Sequence, residues 1–86
     1  MEPIEKLRLW IIKRTLELTA QQGMSIQELA DKSELSRSTI QNYISGKTTM
    51  KIDNIISVAA ALSGSLNKFI GPMDEELRQI VSKELS

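Results

Sequence analysis

Arg37, Ser38, Gln41 and Asn42 fall on the outward side of segment 37–44, whose helical spacing turns Ile40, Tyr43 and Ile44 the other way. An arginine fork can bond guanine O6 and N7, and a glutamine or asparagine amide can bond adenine N6 and N7. The chemistry these four side chains offer together is the reading of base edges in the major groove of DNA. A second set suits phosphate. Lys47, Thr48, Thr49 and Lys51 supply donors just downstream, while Ser36 and Thr39 stand near the start of a short helix, where unpaired amides favour anions.

Charge is distributed to match. The chain of 86 residues is neutral overall, with 11 Lys and Arg against 11 Asp and Glu. Residues 32–51 nevertheless carry Lys32, Arg37, Lys47 and Lys51 against Glu34 alone. Contacts made through these cations predict an affinity for nucleic acid that falls steeply with salt.

Other chemistries are poorly served. With no Cys and no His, the chain lacks thiolates, the commonest metal ligand and the usual general base at neutral pH. Gly46-Lys47-Thr48 resembles the end of a phosphate-binding loop. That motif needs a glycine five residues earlier, where Gln41 stands, and a preceding strand. Glu28 with Asp31, and Asp74 with Glu75 and Glu76, read as capping and solvated residues, with nothing nearby to drive their pKa values apart. The expectation is a protein that is not an enzyme, with no catalytic, cofactor-binding or metal site and no cofactor.

The elements that must position the reading residues are all helices. Ile4, Leu7, Ile11, Arg14 and Leu18 recur at threes and fours over residues 4–22, with Trp10 beside the stripe and Gly23 as a stop. Leu9, Ile12 and Leu16 widen that helix's apolar surface. Ser25 and Glu28 form a capping box for a two-turn helix to about Lys32, and Ser36 caps the next, from Arg37 to about Ile44. Ser45 to Thr49 reads as a loop. Ile52, Ile55, Ile56, Val58, Ala59 and Leu62 mark a fourth helix, expected to be the most buried, which Ser63 and Gly64 end. Ser65 caps a short fifth helix holding Leu66, Phe69 and Ile70, and a tail helix carries Leu77, Ile80, Val81 and Leu85 along one face.

Two short capped helices followed by a basic loop have the geometry of a helix-turn-helix. The run from Gly23 to Ile70 resembles the Cro and phage-repressor type of that domain, the XRE family. Gly23, Met24, Ser25, Glu28, Leu29, Ala30, Ser33, Leu35, Ser36, Ser38, Thr39, Ile40, Tyr43 and Gly46 carry the first part of the pattern, and Ile55, Val58, Ala59, Ala61, Leu62, Ser65, Leu66 and Phe69 the second. The resemblance implies an all-α, five-helix lambda-repressor-like domain over residues 1–71, here with an additional C-terminal helix at 72–86. It also implies that Arg37, Ser38, Gln41 and Asn42 face DNA and that Gly46 and Lys47 begin a phosphate-facing loop. Ile26 stands where many members have a phosphate-binding Gln, so Gln27 is expected to substitute. Ile44 replaces a common acidic residue, and Lys51 the usual Ser or Thr cap of the fourth helix.

The function implied is a sequence-specific double-stranded DNA-binding transcriptional regulator, a repressor that occupies its operator as a homodimer. Trp10, Leu77, Ile80 and Val81 are the residues expected at the dimer surface. The alternative on the same fold is a protein-interaction module, such as an antitoxin or anti-repressor component, with a regulatory protein partner. No apolar run reaches the length of a membrane span, and Glu2 and Glu5 do not fit a signal peptide. A soluble, unprocessed, cytoplasmic protein with no membrane partner is expected.

Overall fold

A computed structural model describes residues 2–48 and 51–85 of the chain, so Thr49 lies outside the described residues, as does the side chain of Leu85. The described residues form six helices: α1 (Pro3–Gln21), α2 (Ile26–Ser33), α3 (Arg37–Ile44), α4 (Ile52–Ser63), α5 (Leu66–Phe69) and α6 (Glu75–Leu85). The architecture is all-α, as expected.

Local chemistry sets the helix ends. Ser25 Oγ accepts from the Glu28 amide at 3.1 Å while Glu28 Oε1 accepts from the Ser25 amide at 3.2 Å, a complete capping box. Ser36 and Ser65 cap α3 and α5 through the amides of Thr39 and Lys68. Lys51 precedes α4 without a side-chain cap bond. At the other end of α1, the Gly23 and Met24 amides bond back to the carbonyls of Ala20 and Thr19, closing the helix in a Schellman motif.

The same motif closes α2, where the amides of Glu34 and Leu35 bond to Asp31 and Ala30. Here the left-handed residue is Glu34, at φ 58°, the one non-glycine with positive φ among the described residues. A side chain in that region is strained by about 1–2 kcal/mol. Glu34→Gly removes the strain but gives the unfolded chain more freedom, so the expected net gain is about 0.5–1 kcal/mol. A thermal melt should show the midpoint rising by roughly 2–8 °C for a domain of this size.

Packing follows from which faces are apolar. α2 lies on α3 and α4, α5 on α4, and α1 on α3, α4 and α6. Leu29, Ala30, Ile40, Val58, Ala59 and Phe69 are wholly buried at the centre, joined by Leu7, Ile11, Leu18, Tyr43 and Leu62. Trp10 is half-buried and meets the Phe69 ring edge-on, with centroids 6.1 Å apart at 86°. Arg14, in the apolar stripe of α1, lays its stem along the core. Its Nε donates to the Phe69 carbonyl at 3.1 Å and its Nη1 to Glu17.

One expectation is corrected. Val58, Ala59 and Leu62 are the buried residues of α4, but Ile52 and Ile56 stand 38 and 39 % exposed. These two lie one turn apart on the flank of the stripe that meets α2 and α5, so helical spacing alone does not bury them. A groove between α1 and α4 is lined by Ile4, Ile12 and Ile55 together with Arg8, Tyr43 and Thr48.

Candidate nucleic-acid interface

The recognition candidates are set by what lies behind them. Ile40 and Tyr43 enter the core, at 0 and 3 % exposure, and fix the rotation of α3 about its axis. Arg37, Ser38 and Gln41 consequently face water, and Asn42 is half-buried at their edge. Arg37 has no ion pair or side-chain hydrogen bond among the described residues, so its whole donor fork is available to an external acceptor.

A buried polar knot holds this helix against α1. Thr15 Oγ1 donates to the Ile11 carbonyl at 2.8 Å, which leaves the Tyr43 hydroxyl to donate to Thr15 Oγ1, also at 2.8 Å. Burial pushes the Tyr43 hydroxyl's pKa well up, opposed only in part by the Thr15 bond. Tyr43 thus stays neutral and belongs to the core; it does not stack on bases.

The phosphate candidates divide. Lys47, Thr48 and Lys51 are exposed, with no ion pair among the described residues. Ser36 and Thr39 face one another, their hydroxyls 2.7 Å apart. With the Thr39 amide on the cap, the amides of Arg37 and Ser38 at the start of α3 remain for an outside anion. Gln27 is exposed on α2, and one of its two amide hydrogens already has an acceptor one turn away, its Nε2 donating to Asp31 Oδ1 at 3.0 Å. Ile26, beside it, packs on the core.

The residues expected at a dimer surface sit elsewhere. Leu77 and Val81 are 6 and 7 % exposed and belong to this chain's own core, because α6 lies against α1. Ile80 is half-buried beside them, and Trp10 faces Phe69. The large apolar side chains left open are Ile4, Leu9 and Leu16 on α1 and Ile52 and Ile56 on α4.

Spacing of polar residues did not disclose Arg8. Its Nη2 donates to the Gly46 carbonyl, at the end of α3 and 38 residues further along the chain. Only the fold brings the two together, so no local signal marks the pair.

A family model described as helix-turn-helix matches residues 12–69, from the middle of α1 to the end of α5. The chain belongs to the helix-turn-helix family. No curated protein and no solved structure matches it. In a helix-turn-helix protein α2 and α3 are the two motif helices, and α3 is the one that enters the groove. Members of the family are non-catalytic DNA-binding domains that often dimerise, and this chain is such a DNA-binding domain. Among the described residues no group of His, Cys, Asp or Glu is placed to hold a metal, and no helix is long and apolar enough to cross a membrane.

Proposed function

We propose that this helix-turn-helix protein is a sequence-specific regulator of transcription in the cytoplasm, a repressor that occupies an operator as a homodimer. The observation that carries the reading is the exposed quartet Arg37, Ser38, Gln41 and Asn42 on a helix whose opposite face is locked into the core. Residues 1–71 form the reading unit in this proposal, with α6, in the segment expected to dimerise, packed on α1.

Two copies would place their α3 helices about 34 Å apart, one turn of DNA. The protein's dimensions of 32 × 25 × 21 Å suit that spacing for neighbours side by side. With Leu77 and Val81 inside the core, the dimer reading rests on α1, where Leu9 and Leu16 are open.

The test is selection of random duplex DNA by the purified protein at about 50 mM and about 150 mM salt, followed by sequencing. Enrichment of a near-palindrome with half-sites one turn apart is expected, with less DNA retained at the higher salt. Capture of no motif at either salt would overturn the reading. The exposed apolar residues of α1 would then favour the protein-interaction module.

A further inference from the structure

We propose that Arg8 is a positioning residue for phosphate binding by the loop that leaves α3. The inference rests on the proposed function in taking Lys47 as a phosphate contact, and it adds a residue from outside the motif that governs that contact.

α3 closes in a Schellman motif, in which the Gly46 amide bonds to the Tyr43 carbonyl at 3.1 Å and the Lys47 amide to the Asn42 carbonyl at 3.0 Å. Gly46 sits at φ 76°, the left-handed conformation that the closing residue of this motif needs and that glycine adopts without strain. The peptide unit joining Gly46 to Lys47 is held by hydrogen bonds at both ends. Its N–H is bonded to Asn42, and its carbonyl accepts from Arg8 Nη2. Arg8 is itself steadied by Glu5, 3.8 Å away on the preceding turn of α1.

Fixing that peptide plane fixes the direction in which the chain enters Lys47 and Thr48. α1 is long and packed on α3, α4 and α6, so Arg8 ties the loop to a rigid support. Loss of the guanidinium leaves the Gly46 carbonyl untethered and Lys47 must be ordered when DNA binds, which weakens the contact without removing its charge.

The first experiment reads the free protein. Hydrogen exchange by NMR at the Lys47 amide should accelerate by about tenfold or more in Arg8→Ala, while the Ile40 amide and the melting midpoint change little. Unchanged protection at Lys47 would overturn the proposal whatever DNA does.

The second is a cycle of Arg8→Ala, Lys47→Ala and the double variant, titrated against a fluorescent duplex of about 20 base pairs over about 50–200 mM KCl. Lys47→Ala should reduce the salt slope by about 0.9 and weaken binding roughly fivefold for each subunit bound, so by about 1.8 in slope for the proposed dimer. Arg8→Ala should weaken binding roughly threefold to fivefold in the wild-type background and less than about twofold when Lys47 is already absent. Arg8→Lys, which keeps a donor on a long stem, should recover part of the loss. Equal effects of Arg8→Ala in both backgrounds would make it an independent contact and sink the positioning role. If Lys47→Ala leaves affinity and slope unchanged, the phosphate assignment of the loop fails on its own account, and the exchange result still decides whether Arg8 holds the turn.

Discussion

Phe69→Ala should destabilise the protein by about 3–5 kcal/mol, the range for removing a fully buried aromatic ring from a core. Domains of this size have about 5–15 kcal/mol in total, so the variant loses a large part of its stability. Phe69 is wholly buried although it sits on a helix of only four residues, Leu66–Phe69. Its ring is the edge partner of Trp10, and its carbonyl accepts from Arg14. Alanine keeps the carbonyl bond and removes the ring, leaving a cavity where α1 and α5 meet. Trp10 is the single tryptophan, so its fluorescence reports the loss directly. A urea titration should show a lower midpoint with an unchanged slope. A cost below about 1 kcal/mol would mean that the site collapses around the smaller side chain, against the packing described.

The second large effect is on binding. Arg37→Ala with Gln41→Ala should weaken binding by about 2–6 kcal/mol for each half-site of the enriched operator, since each well-placed paired contact to a base contributes about 1–3 kcal/mol. Affinity for unrelated duplex should fall far less, because only one positive charge is lost per subunit. Both side chains are exposed, so the melting midpoint should stay within the change that about 0.5 kcal/mol produces. Equal losses on operator and unrelated DNA would show that α3 does not read sequence.

Much of this arrangement was legible because its causes are local. Ser25, Ser36 and Ser65 cap the helices they precede, and each does so through an amide three residues away. The outward position of Arg37 and Gln41 follows from the inward position of Ile40 and Tyr43, which the spacing already requires. What spacing could not supply was the identity of the surface that an apolar stripe meets. Leu77 and Val81 have the same pattern whether they cover a neighbouring subunit or α1 of their own chain, and here they cover α1. Ile52 and Ile56 have a buried helix's spacing, yet stand on the flank of α4 and are only partly covered. Arg8 and Gly46 are too far apart in sequence for any periodicity to connect them. The end of α2 near Lys32 was legible, but the left-handed backbone of Glu34 depends on the hydrogen bonds that close α2.

The contact between α1 and α6 joins an early segment of the chain to a late one. During synthesis, at roughly 5–20 residues per second, α6 emerges several seconds after α1. Helix formation takes on the order of a microsecond, so α1 can form long before the helix that covers it exists. For that interval the strip of α1 that α6 covers has only water or a chaperone beside it, while α3 and α4 can already pack on the rest. The nascent chain therefore keeps an apolar strip of α1 uncovered until residues 75–85 follow.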